Sequence, residues 1–186
     1  KAILVISAHW LTRGTFITCN DKPRQIYDFY GFPDELFKVI YQPKGIPELA
    51  KKIVKNTGWI KIRCATDWGL DHGSWAVLKH IYPEADIPVM ELSLDYSQPP
   101  QYHYRFAPIL SFLRQEEVLI IGSGNIVHNI KLADFDNINA KPFEWAASFD
   151  EKVKELLLSG IHEKLEGYEK QIDFAHQALP TNEHFL

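Results

Sequence analysis

The chain has 186 residues, 46% of them apolar, with a formal net charge of −4 and its basic residues scattered. That length suits one globular domain with a sizeable core, and the charge excludes the basic footprint of a nucleic-acid binder. No apolar run is long enough to cross a bilayer. Two cysteines, Cys19 and Cys64, are too few for a disulfide framework, which points to a reducing, cytoplasmic setting.

The elements alternate along the chain. Residues 2–8 ("AILVISA") read as a buried strand, and 15–19 ("TFITC") as a second. An aromatic, proline-punctuated loop covers 21–33, and a short helix is predicted over 34–40. Pro47 opens a helix to Asn56 with Leu49, Ile53 and Val54 on one face. "WIKIRC" (59–64) alternates like a strand, and Ser74 can cap a helix running to about His80. Strand "IPVMELSL" (87–94), helix 101–114, strand "EVLIIGSG" (117–124) and a long helix 143–158 follow, with a short helical piece near 168–176. This order predicts a three-layer α/β/α fold around a central mixed, largely parallel sheet. Lys1 abuts a core-type strand without an initiator Met, and "LPTNEHFL" stops on apolar residues; we expect one domain over 1–186 that lacks segments on both sides.

In such sheets ligands gather beyond the carboxyl ends of the strands. Three of eight histidines fall there: His9 after the first strand, His72 in "DWGLDHGSW" and His128 in "GSGNIVHN". Singly, each reads more readily as a hydrogen-bonded structural residue, and "DHGSW" as a turn with Asp71 and Ser74 as capping groups. "GSGNIVHN" lacks the full glycine pattern and the lysine of a phosphate loop. Together, three sheet-edge imidazoles beside Gly, Ser or Asn point to a shared site, and imidazole suits iron and zinc. Trp10, Tyr27, Phe29, Tyr30, Trp68 and Trp75 flank the same loops, as ordinary core or as walls for a flat ring. His80, His103, His162 and His176 read as solvated or structural.

The ordered motifs "AILVISAHW", "YDFYGFP", "WGLDHGSWAVLKHIYP", "GSGNIVHN" and "PTNEHFL" span the chain. In them it resembles the class III (LigB-type) extradiol ring-cleavage dioxygenases, and most the bacterial subfamily named for 4,5-DOPA dioxygenase. That resemblance implies the LigB-like fold and a mononuclear non-haem Fe(2+) that opens a catechol with O2 beside its hydroxyls; Zn(2+) can occupy the same imidazoles. It matches His9 and His184 to metal ligands, His128 to an acid–base group, and His72 to a group touching substrate or oxygen. Trp10 and Asn125 become candidate substrate contacts, and Asp71 or Asn125 candidates for orienting the rings. Two departures stand out: the family's strand carrying "HGSP", with the remaining ligand, has no counterpart after Lys1, and Leu179 stands where the family often has His. A zinc hydrolase on the same site, or a non-catalytic Memo-like binding protein, are the alternatives.

Overall fold

Ala2 to Val5 have no polar face, and the fold buries both sides of them. The computed structural model describes residues 1–137 and 139–186. Strand β1 (Ala2–Thr12) sends Ala2 and Leu4 into one core and Ile3 and Val5 into another on the opposite face of the sheet. Period-2 alternation explains the split, since successive side chains leave a strand on opposite sides. The other strands are β2 (Thr15–Thr18), β3 (Ile62–Ala65), β4 (Val89–Asp95) and β5 (Val118–Ser123), in the order β3-β2-β4-β1-β5. β1 runs parallel to both β4 and β5, β2 runs parallel to β3, and only β2 against β4 is antiparallel. The mixed, largely parallel sheet expected from the sequence is therefore present.

Helix α1 (Pro47–Asn56) covers one face with Ala50 and Ile53, beside α3 (Pro100–Phe106) and the 3-10 stretch Ala107–Arg114 that continues it. Helix α2 (His72–Ile81) covers the other with Trp75 and Leu78. Its N-cap is Asp71 rather than Ser74: the Asp71 carboxylate accepts the Ser74 amide at 3.1 Å, a shorter-range solution to the orphan donors of the first turn. Helix α4 (Glu144–Ser159) instead packs Phe149, Val153 and Leu156 against three short helices, α5 (Glu163–Glu166), α6 (Tyr168–Gln171) and α7 (Ala175–Ala178). Phe185 joins this cluster against Tyr168, which anchors the segment carrying His184.

Two expectations are corrected. Over 34–40 only a 3-10 turn forms, Leu36–Lys38, with no buried residue; seven residues are too few to sustain a helix without a buried face to hold it. Cys19 and Cys64 are joined by a disulfide at the β2–β3 edge, where the parallel register pairs Ile17 with Cys64. Counting cysteines could not reveal that pairing, and the inference of a reducing setting loses its support. No described helix is long and apolar enough to cross a membrane.

Candidate active site

β1 pairs regularly with β4 up to Ile6 opposite Leu92, and resumes with Leu11 opposite Leu94. Ser7 to Trp10 thus stand against the single residue Ser93. A bulge of this kind re-aims side chains at a strand's end, and here it releases His9 from the ladder. The His9 amide donates to Ser7 Oγ at 3.2 Å, and Ser7 Oγ donates to Asp71 Oδ1 at 2.8 Å.

His72 is the first residue of α2. Its amide donates to Asp28 Oδ1 at 2.8 Å, and its Nδ1 lies 2.9 Å from Asp28 Oδ2, so one carboxylate fixes both backbone and ring. His128 follows β5 and is tied to the C-terminal cluster through its amide, which donates to the Ala178 carbonyl at 2.8 Å. His184 accepts the Asn125 amide at Nδ1, 3.1 Å away.

These four imidazoles, far apart in the chain, form one chain of rings. Centroids are 4.0 Å apart for His9 and His72, 5.1 Å for His9 and His184, and 3.5 Å for His128 and His184. Two glycines permit the approach. A Cβ on Gly73 would lie 2.6 Å from His9 Nδ1, and one on Gly124 would collide with the His184 backbone.

Behind the histidines lies a buried acid network. Glu91, in the centre of β4 and fully buried, accepts from Trp68 Nε1 at 2.8 Å, from the Asp71 amide at 3.1 Å and from Ser74 Oγ. Burial, and then the adjacent Asp71 carboxylate, push Glu91 well above the ordinary glutamate value. Glu91, Asp71 and Ser7 thereby form a continuous support reaching His9 Nδ1, 3.5 Å from Ser7 Oγ.

The site divides its imidazoles electrostatically. Burial, then the neighbouring His72, holds His9 below the ordinary histidine value. Burial, then His128 and His9, pushes His184 down to about 4. Burial also lowers His128, outweighing the opposing pull of Glu183. His72 moves the other way, because the hydrogen bond to Asp28 outweighs its burial. Burial thus favours the neutral form of His9, His128 and His184, while Asp28 favours the charged form of His72. Environments that push pKa values apart are how a site assigns a base and an acid.

Neutral imidazoles are the protonation state a first-row divalent cation requires. The His9 and His184 rings lie edge-on, with planes at 74° and centroids 5.1 Å apart. The stacked pair His128–His184, at 22°, presents ring faces instead. His9, Asp28 and His72 also bring donor atoms within 4.8 Å of one another, but both Asp28 oxygens already serve His72. The donor chemistry thus suits a resident metal.

His9, His72, His128 and His184 are brought together as the sequence suggests, and Asn125 joins them through its backbone. Trp10 does not: it is buried and stacks on Trp68, centroids 5.4 Å apart, so its ring meets another indole rather than the histidines. The ring that meets His72 is Phe29, edge-on at 5.5 Å. Asp28 and Glu91 were not singled out by sequence reasoning. Asp28 sits in the motif "YDFYGFP", while Glu91 in the apolar "IPVMELSL" carried a usable signal, an acid in the middle of a buried strand.

The model of the family described as the catalytic LigB subunit of aromatic ring-opening dioxygenase matches residues 1–185. Among curated relatives, an Escherichia coli protein named 4,5-DOPA dioxygenase extradiol is 43% identical over 83% of this chain and 57% of its own. A Beta vulgaris protein of the same name is 39% identical over 100% of this chain and 69% of its own. The chain thus spans little more than half the length of the bacterial relative. The solved structure of an uncharacterized Escherichia coli K12 protein superposes with a TM-score of 0.83 at 36% identity, covering 99% of this chain and 71% of that one. Fold, histidine cluster and sequence agree, and the chain belongs to the LigB family of aromatic ring-opening dioxygenases.

Proposed function

We propose that this chain carries the active site of an extradiol dioxygenase that opens the ring of a DOPA-like catechol with O2, giving a muconic semialdehyde. The observation that carries the reading is the convergence of His9, His72, His128 and His184, from four separate segments, at the bulged end of β1. The names of the bacterial and plant relatives supply the substrate class.

In this reading His9 and His184 would hold an Fe(II) ion, which would supply the redox chemistry that brings O2 to the catechol. Zinc competes for the same imidazoles by affinity. His128, kept neutral by burial, accepts a proton from a catechol hydroxyl and returns it later to the cleaved product, a task of general acid–base catalysis. His72 keeps a proton at Nδ1 against Asp28, so its ring is fixed while the substrate binds. Ser7 and Asp71 fix the backbone and ring of His9 from behind. Phe29 walls the site beside His72 and displaces water from that side of the ring. Trp10, behind the bulge, supports the wall through Trp68 rather than touching the substrate.

The test is turnover of a catechol by protein loaded with Fe(II) or Zn(II), with and without oxygen. Yellow product and O2 uptake only with Fe(II) and oxygen support the reading. Oxygen-independent turnover with Zn(II) would replace it with a hydrolase, and no turnover under any condition with a bound catechol would leave a binding protein.

A further inference from the structure

Beside the histidine cluster lies a cavity of about 210 Å³ that the reaction as described does not use. Its walls are Phe29, Phe32, Leu36 and Trp75, from the 21–40 loop and α2. Its polar side chains are His72, Lys79 and His80. All three carry nitrogen, and no carboxylate lines the cavity.

His72, Trp75, Ala76 and Lys79 stand at i, i+3, i+4 and i+7, so one face of α2 forms the floor. His72 marks the end at the reacting centre. Lys79 lies about 10 Å further along the helix axis, its Cα–Cβ bond tilted, as in any helix, toward the N-terminal end. Lys79 is half-buried, and among the described residues it has no carboxylate partner, whereas Lys1, Lys51, Lys52, Lys152 and Lys154 each have one. A cation above an apolar wall, in a chain whose net charge is −4, is complementary to an anion carried on a hydrophobic stem.

We propose that this cavity receives the side chain of the aromatic substrate and that Lys79 reads a carboxylate at its end, making catechols with a carboxylate-bearing side chain the preferred substrates over those whose side chain carries only an amine or no charge. The inference rests on the ring-cleavage reading for which end of the ligand faces the histidines. The apolar stem packs on Phe29 and Trp75, and the anion pairs with Lys79. A charge-assisted contact of this kind contributes about tenfold in affinity.

The test uses 3-phenylpropionate and its primary amide, which have no hydroxyls to cleave, titrated by calorimetry into full-length metal-loaded protein. The carboxylate should bind about tenfold more tightly than the amide. Lys79→Gln should abolish that preference, and Lys79→Arg should keep it. In turnover, Lys79→Gln should raise KM for a catechol bearing a propionate chain and leave kcat and the KM of unsubstituted catechol unchanged. Equal binding of the two probes to the wild type, or a preference that survives Lys79→Gln, overturns the proposal. The two readings fail separately. A carboxylate preference without ring cleavage keeps the pocket and removes the reaction. Cleavage that is blind to the carboxylate keeps the reaction and removes the pocket.

Discussion

Replacing Gly73 with Ala puts one methyl group between α2 and the bulge of β1. Its Cβ would lie 2.6 Å from His9 Nδ1, 2.8 Å from Ser7 Oγ and 3.1 Å from His9 Cε1. The backbone of Gly73 is not in the left-handed region, so space is the whole of the cost. Overpacking at such a contact costs about 1–3 kcal/mol. Alanine in a helix is favoured over glycine by about 1 kcal/mol, which offsets part of it. The net change is about 0–2 kcal/mol, a fall in Tm of roughly 0–8 °C for a chain of this size. Function should suffer out of proportion, because the relief must come from moving His9 or Ser7. A displacement approaching 1 Å at a reacting centre costs on the order of a hundredfold. Thermal unfolding, Fe(II) affinity by competitive chelation and catechol turnover on one preparation separate the two effects. The expected pattern is a protein still folded at 25 °C with Fe(II) affinity and kcat/KM both strongly reduced. Wild-type affinity and turnover in Gly73→Ala would refute the idea that this close approach sets the position of His9.

The remaining predictions concern the groups around that contact. Because folding raises the Glu91 pKa, its contribution to stability is full below the ordinary value of 4.5 and is lost as pH rises through the folded value. Glu91→Gln, an uncharged isostere, should therefore gain stability relative to wild type as denaturant titrations move to higher pH, and a parallel pair of curves would count against a raised Glu91 pKa. Glu91→Ala instead strands the Trp68, Asp71 and Ser74 donors, at roughly 1–3 kcal/mol each. Asp28→Asn removes the anion that holds the His72 proton, so His72 should titrate at lower pH by NMR than in the wild type; an unchanged titration would mean the pair is not formed in solution. The Cys19–Cys64 bond closes a span of 45 residues, and its reduction should cost about 2–4 kcal/mol. Non-reducing mass spectrometry should find no free thiol, and a Tm indifferent to reductant would show that the bond contributes nothing.

How much of this was legible depends on whether a feature is local. α1 begins and ends where Pro47 and the spacing of Leu49, Ile53 and Val54 place it, because helix periodicity and an N-terminal proline are encoded within one segment. The strand pattern ends at residue 8 in the sequence, whereas β1 runs to Thr12, because its last four residues keep strand geometry across a bulge whose partner, Ser93, lies far away in the chain. His9, His72 and His128 were visible as strand-end residues. His184 could be tied to them only through family likeness, because its place depends on Phe185 docking against Tyr168. Asp28 was hidden among loop aromatics, its pairing with His72 a matter of tertiary contact alone. Trp10 looked like a pocket wall because it follows His9, yet the same bulge that turns His9 outward leaves the indole stacked on Trp68.

The most direct test of the account is isotopic. Full-length protein reconstituted anaerobically with Fe(II), given a catechol and then 18O2, should release a ring-opened product whose carboxylate carries 18O, and the label should be absent when 16O2 is used in H2 18O for the oxygen-derived position. Product lacking oxygen from O2, or an intact catechol recovered from an Fe(II)-loaded and properly folded protein, would contradict it.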